Sequence, residues 1–211
     1  MGSEFILPRT ASSNDPLRLA VLISGGGSGL LSLLEHQSAS SCAHRTVLVL
    51  SDRENAGGLQ HGRDSGVKTL SIPLMDITDS LAQRTTHEEE IHRQLIECEI
   101  ELVVLSGYMR ILTPWFVGHW KGRLVNIHPS LLPDFPGAHA HRDVLSAGAK
   151  VTGCTVHLVD EGVDSGPILA QQSIPVKPND DETSLQERVK EVEHSLYPKI
   201  IDMLSTGEIS L

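Results

Sequence analysis

The chain has 211 residues, 39% of them hydrophobic and 21% charged, which describes one globular domain large enough to bury a core without disulfides or metals. Its formal charge of −10 opposes non-specific attraction to nucleic acid and to anionic membranes. Because no apolar run approaches the roughly 18 residues that span a bilayer, a membrane anchor is not expected.

Met1 to Phe5 lacks the basic start and apolar centre of a signal peptide and reads as an expression scar, with residues 1–16 as a poorly ordered leader. The folded unit is expected over 17–211. It opens with Leu17 to Ser24, apolar almost throughout, as a parallel strand covered on both faces would be. Gly25 to Gly29 then forms a tight turn into a helix through Leu30 to Glu35. A strand at Val47 to Leu50, a helix from about Ala56 to Ser65 and a strand near Lys68 to Ile72 follow. Ile91, Leu95 and Cys98 set a helix over Thr86 to Glu97, and Glu101 to Ser106 returns to a strand.

Thr113 before Pro114 predicts an N-cap with proline in the first turn of a short helix. Trp115 and Trp120 are read as packing that helix rather than stacking on a ligand. Leu124 to His128 is a strand stopped by Pro129, and the residues from Pro129 to Gly137 prescribe a loop of defined shape. A helix over Arg142 to Ala147, strands over Gly153 to Val159 and Ile168 to Val176, and a long last helix complete the chain. In that helix Leu185, Val189, Val192, Leu196 and Ile200 form the apolar stripe, and Ser184 with Glu187 has capping-box spacing. The alternation predicts an α/β fold: an open, mostly parallel Rossmann-like sheet with helices on both faces. Cys42, Cys98 and Cys154 have no close spacing and suggest reduced thiols in a cytoplasmic protein.

The glycine turn after the first strand leaves backbone N–H groups able to hold an anion, with Ser28 adding a hydroxyl. Leu30 occupies the third glycine position of the dinucleotide fingerprint, and no Gly-Lys-Ser/Thr follows, so neither nucleotide motif is complete. A purely structural turn is the alternative. Asn126 and His128 leave the same face of a strand at its C-terminal edge, where open α/β sheets bind ligands; an amide donor beside an imidazole suits a reaction in which oxygen gains charge and a proton moves. Asp164, between Gly162 and Gly166, either orients His128 and raises its pKa or merely closes an Asx turn. His157 either lines a cleft or is a satisfied structural histidine. His128, His139 and His141 lack the spacing of a zinc site, so no metal is expected. Arg110 ends its strand where it would greet an anionic group.

Asn126-Ile127-His128-Pro129-Ser130-Leu131-Leu132-Pro133, then Gly137, His139 and His141, is the strongest of several ordered motifs. Gly153-Cys154-Thr155-Val156-His157, Asp164-Ser165-Gly166-Pro167, Glu193-His194 and Tyr197-Pro198 continue the pattern. Together they make the chain resemble the phosphoribosylglycinamide formyltransferase family, folate-dependent enzymes of purine biosynthesis, from about Leu19 to Ser205. The resemblance implies the formyltransferase fold, with a phosphate-binding N-terminal half and a folate-binding, catalytic C-terminal half. It implies 10-formyltetrahydrofolate as donor, 5-phosphoribosylglycinamide as acceptor, no metal, and a monomer or homodimer.

By the same resemblance Asn126, His128 and Asp164 are catalytic. Asn126 and a protonated His128 stabilise the oxygen of the tetrahedral centre, while Asp164 keeps the imidazole charged and positions a water for proton transfer. Gly25, Gly26, Gly27, Ser28 and Gly29 hold the phosphate, and Met109, Ile127, His139 and Glu193 the rest of the acceptor. Arg110, Ile111, Leu112, Val159, Asp160, Glu161 and Val163 meet the folate. Gly29 stands where the family usually has Asn, and Ser51-Asp52-Arg53 replaces a commoner Asn-Lys pattern. Both changes bear on acceptor preference and leave the catalytic three untouched. The alternatives are a formyltetrahydrofolate hydrolase, a formyltransferase acting on another amine, or a non-catalytic module that binds a phosphorylated metabolite.

Overall fold

The computed structural model describes residues 4–211; of the segment read as an expression scar, Met1 to Ser3 lie outside the described residues. Seven strands and six helices follow in the order β1 (Leu17–Ile23), α1 (Ser28–Ala39), β2 (His44–Ser51), α2 (Gly58–Asp64), β3 (Lys68–Ser71), α3 (Ser80–Glu97) and β4 (Leu102–Leu105). Then come α4 (Pro114–His119), β5 (Leu124–His128), α5 (Ala140–Ser146), β6 (Val151–Leu158), β7 (Ile168–Pro175) and α6 (Glu182–Thr206). The strands form one sheet in the order β3-β2-β1-β4-β5-β6-β7. Pairing is parallel from β3 through β5, and antiparallel for β5 with β6 and β6 with β7. The expected open, mostly parallel Rossmann-like sheet is therefore present, with the antiparallel part gathered at one edge.

Alternation along β1 explains the two-sided core. Leu17, Leu19, Val21 and Ile23 enter a cluster with Leu30 and Leu33 of α1 and Ile200, Ile201 and Leu204 of α6. Ala20 and Leu22 face the other way, onto Ile91 and Leu95 of α3 and Phe116, Val117 and Trp120 around α4. A strand buried on both faces has no polar side to show, hence its unbroken apolar sequence. Tyr197 of α6 ties the layers, its hydroxyl lying 2.9 Å from the carbonyls of Leu105 and Val125.

Three expectations change. Residues 6–16 pack on the body rather than standing off it: Ala11 N–H donates to the Ser205 carbonyl at 2.8 Å, and Arg9 pairs with Glu101 at 2.6 Å and Asp15 at 2.9 Å. Leu7 and Ala11 also touch the first core cluster, a contact that sequence composition does not reveal. Helix α3 begins at Ser80, because the Asp79 carboxylate accepts the Ala82 N–H and caps it there. In α6 the capping box is formed by Asp181 and Ser184, not Ser184 and Glu187, so the helix starts one residue after Asp181.

The sheet order reverses between β1 and β4, one of which leads outward to β2 and the other to β5. Such a switch point opens a crevice at the C-terminal strand ends. Both the Gly25 to Gly29 turn and the segment after β4 emerge there.

Candidate active site

Two cavities lie at these strand ends, on opposite sides of the end of β5. One is walled by Gly25 to Gly29, Arg53, Gly107, Met109, Ile127, His141, Lys190 and Glu193; the other by Tyr108, Arg110, Ile111, Leu112, Asn126, His157, Val159, Asp160 and Gly162 to Asp164. Strand pleating divides them, since Ile127 points one way and its neighbour Asn126 the other.

Gly27 has φ +71° and serves as the N-cap of α1 without a side-chain hydrogen bond, so the N–H groups of the first turn keep no side-chain acceptor. A Cβ on Gly27 would lie 2.7 Å from Gly58 Cα, and the Gly58 N–H donates to the Gly25 carbonyl at 3.0 Å. The turn is thus clamped to the start of α2. Gly29 lets the helix approach Ser106, whose Oγ would be 2.6 Å from an added Cβ. Ser28 Oγ is 3.2 Å from His194 Nε2. With Arg53 and Lys190 in the same wall, an anion at the helix mouth meets a dipole end and two cations.

Burial pushes the Glu193 carboxyl up to about 7, against the opposing pull of Lys190. His141 is 8% exposed and its Nδ1 has no partner; burial draws its pKa below the usual value. His139 is exposed at the N-cap of α5, outside the walls of both cavities, so His141 occupies the position expected for it.

In the second cavity Arg110 Nε donates to Asp52 Oδ2 at 2.8 Å, and the Asp52 side chain is fully buried. The acid near the end of β2 therefore holds an arginine from the segment after β4. Glu161 is exposed and its neighbours Asp160, Gly162 and Val163 form the wall instead.

Asn126, His128, His157 and Asp164 meet at the end of β5, where Asn126, His157 and Asp164 line the second cavity. Cross-strand pairing sets Asn126 opposite His157 and His128 opposite Thr155. Asn126 Nδ2 is 3.2 Å from His157 Nε2, while His157 Nδ1 is 2.9 Å from the Leu158 carbonyl. Asp164 comes from the β6–β7 loop with φ +52°, a conformation that Asp tolerates better than most residues. Its Oδ2 accepts the Gly137 N–H at 2.8 Å and lies 3.3 Å from His128 Nδ1; Oδ1 is 3.6 Å from His157 Nε2. Burial would raise the Asp164 pKa, but the His157 and Gly137 contacts and the nearby His128 outweigh it and hold the carboxyl below its usual value.

His128 behaves differently from the expectation that Asp164 raises its pKa. Burial lowers it, and the opposing influence of the Phe135 carbonyl and Asp164 does not overcome that desolvation. Its Nε2 is 2.9 Å from the Phe135 carbonyl, so both ring nitrogens face acceptors. A neutral imidazole can satisfy only one of them, and a proton arriving on the ring satisfies both. The loop supplying Phe135 is rigidly braced: Ser130 Oγ donates to the Asp134 carbonyl at 2.6 Å, and Thr155 Oγ1 accepts the Leu132 N–H at 3.0 Å.

Sequence reading brought Asn126, His128 and Asp164 forward, and these do converge. It left His157 undecided, named Arg53 only within a change bearing on acceptor preference, and passed over Gln186 and Lys190. Gln186, Lys190, Glu193 and Tyr197 recur at helical spacing on one face of α6, a polar signal beside the apolar stripe.

The formyl transferase family matches residues 17–201 of the chain. Phosphoribosylglycinamide formyltransferase of Mycobacterium tuberculosis is 41% identical over 204 residues, covering 97% of this chain and 92% of that one. The trifunctional purine biosynthetic protein adenosine-3 of Drosophila melanogaster is 44% identical over 192 residues, 90% of this chain; the chain spans only 14% of that polypeptide's length. Glycinamide ribonucleotide transformylase 1 of Symbiobacterium toebii superposes with a TM-score of 0.88 at 37% identity, covering 93% of this chain and 91% of that one.

Proposed function

The chain belongs to the formyl transferase family, and on that footing we propose that it transfers a formyl group from 10-formyltetrahydrofolate to the amine of 5-phosphoribosylglycinamide. The products are phosphoribosyl-N-formylglycinamide and tetrahydrofolate. One observation carries this reading: a cationic, glycine-walled cavity and a mixed apolar and polar cavity open on either side of β5, with Asn126, His157 and Asp164 in the wall of the second. A phosphorylated amine in the first and a folate in the second bring nucleophile and formyl carbon together at that cluster.

The phosphate sits at the Gly25 to Gly29 turn near Arg53 and Lys190, and Glu193 receives hydrogen bonds from the acceptor. Arg110, held by Asp52, faces the anionic part of the folate, while Ile111, Leu112, Val159 and Val163 cover its apolar surface. The neutral amine attacks the formyl carbon, forming the new C–N bond and placing negative charge on the former carbonyl oxygen. Asn126 donates to that oxygen, and His128, which takes its proton from solvent before the attack and keeps it through the step, adds the positive charge of an imidazolium paired with Asp164. A water held by Asp164 passes the proton of the attacking nitrogen to the departing folate nitrogen, whose bond to carbon then breaks. Fixed donors are effective here because they need little reorganisation at the transition state. A cytoplasmic setting follows from the substrates; among the described residues no helix is long and apolar enough to cross a membrane.

The test is to follow tetrahydrofolate formation with and without 5-phosphoribosylglycinamide. Turnover that requires this acceptor is the expected result. Acceptor-independent release of formate would establish a hydrolase, and saturable binding without turnover a phosphometabolite-binding module.

A further inference from the structure

At the opposite end of the sheet, four side chains with metal-binding atoms converge. His36 lies near the end of α1, Cys42 in the connection that follows, His44 at the first position of β2, and Asp202 on α6. One donor atom from each lies within 4.8 Å of the others. His36 Nε2 is 2.7 Å from Asp202 Oδ2 and His44 Nε2 is 2.8 Å from Asp202 Oδ1, so one carboxylate joins two imidazoles. The His44 side chain is fully buried, while His36, Cys42 and Asp202 line a surface cavity shared with Ala11, Ser12 and Ser13. That cavity supplies an entry path.

We propose that His36, Cys42, His44 and Asp202 form a structural zinc site that pins α1, β2 and α6 together. The donor set selects the metal: two imidazoles, a thiolate and a carboxylate suit a borderline-soft cation in tetrahedral geometry, whereas magnesium and calcium call for oxygen ligands. Thiolate and carboxylate together cancel the charge of Zn²⁺. Zinc–nitrogen and zinc–oxygen bonds of about 2.1 Å place tetrahedral neighbours about 3.4 Å apart. The His–Asp contact made through the ligating carboxylate oxygen therefore opens by about 0.6 to 0.7 Å when the ion enters, and the second oxygen stays outside the tetrahedron. Cys42 gives its thiol proton to solvent as the Zn–S bond forms.

Gln37 provides the next layer. Its Nε2 is 2.8 Å from His44 Nδ1 and its Oε1 accepts the Thr46 N–H at 3.1 Å. Zinc on His44 Nε2 leaves the proton on Nδ1, so the Gln37 amide turns to accept it and releases Thr46. Such outer contacts fix the tautomer of a ligating histidine. The site sits at the N-terminal end of β2, whereas His128 ends β5 at the other rim, so the ion holds the fold and takes no part in formyl transfer. None of these residues belongs to the histidine group considered from the sequence, and their scattered spacing carries no zinc motif.

Full-length protein stripped with a chelator is dialysed against Zn²⁺ or Co²⁺, with metal content, visible spectrum and thermal midpoint measured. One ion per chain is expected, with the bands of tetrahedral cobalt, a near-ultraviolet sulfur-to-cobalt band, and a higher midpoint for the zinc form. Cys42→Ser should lose the sulfur band and weaken zinc binding more than about tenfold. If Cys42→Ser misfolds by circular dichroism, His36→Gln, at a partly exposed ring, should give the same loss of affinity. Less than one ion per chain at tens of micromolar zinc, no sulfur band in the parent, or zinc affinity unchanged in the folded variant overturns the site. The cluster is then a metal-free His–Asp–His clasp.

Discussion

Asn126 and His157 stand opposite each other across the β5–β6 ladder, and their side chains meet at 3.2 Å. The Leu158 carbonyl can only accept, so Nδ1 carries a proton, and Nε2 lies between the Asn126 amide at 3.2 Å and Asp164 Oδ1 at 3.6 Å. This contact fixes the plane of the Asn126 amide beside the place where negative charge develops. His157 is a positioning residue in this arrangement. His157→Gln should lower kcat by about 10- to 100-fold with a much smaller change in KM for either substrate. Steady-state kinetics with both substrates varied checks it; an unchanged kcat would remove His157 from the mechanism.

Asp164 offers a cleaner removal of charge. Asn also tolerates the left-handed backbone of φ +52°, so Asp164→Asn removes the carboxylate without new backbone strain. Turnover should fall about 100- to 10,000-fold, because the imidazolium that forms on His128 loses its counter-charge. The thermal midpoint should move by only a few degrees. Loss of folding with retained specific activity in the soluble fraction would show that Asp164 is a loop brace alone.

Stability should depend on pH in a direction set by the buried imidazoles. Burial lowers the pKa of His87, His128, His141 and His194 below 6.5. Between the folded and unfolded values the unfolded chain binds more protons at these sites, so stability rises with pH and is lost as pH falls below about 6.5. Glu193, raised to about 7, and Glu88, also raised by burial, act in the opposite sense above about 4.5, but they are two carboxyls against those four imidazoles and the likewise lowered His44 and His92. A denaturation midpoint lower at pH 5.5 than at pH 7.5 is expected, and a flat or inverted profile would contradict these burial effects.

The same Glu193 should appear in the kinetics. As the carboxylate it accepts hydrogen bonds from the acceptor, so kcat/KM for the acceptor should rise through pH 7 as Glu193 ionises. Glu193→Gln should remove that ionisation and raise the acceptor KM several-fold while leaving the folate KM in place. An ionisation near pH 7 that persists unchanged in Glu193→Gln assigns it to another group.

Much of this site was legible in the sequence, for physical reasons that differ from residue to residue. Strand β5 was readable at both ends because apolar residues lead into Asn126 and His128 and Pro129 stops the ladder. The glycine turn was readable because the left-handed backbone at Gly27 and the approach of Gly29 to Ser106 leave no room for a side chain at either position. His157 was ambiguous because its meaning depends on the antiparallel register that sets it against Asn126, a tertiary fact. Lys190 and Gln186 were missed because the periodicity of α6 was followed for its apolar face, while these residues occupy the cavity face. The pKa of His128 went the other way from expectation because its neighbours show attraction, and only the packed structure shows the desolvation that exceeds it.

Two adjacent glycines separate the needs of folding from those of binding. Gly27 combines φ +71° with backbone only 2.7 Å from an added Cβ, and neither α1 nor α2 can withdraw without breaking the Gly58 contact to Gly25. Gly27→Ala should therefore destabilise the protein by about 1–3 kcal/mol, measured by urea denaturation. Gly26 has no atom within 4 Å of an added Cβ and no positive φ, so Gly26→Ala should keep the parent midpoint. Its methyl enters the cationic cavity where the phosphate is proposed to sit, and the acceptor KM should rise while the folate KM does not. Equal destabilisation by both substitutions would mean that the turn is wholly structural; a folate-specific KM effect of Gly26→Ala would place the two ligands the other way round.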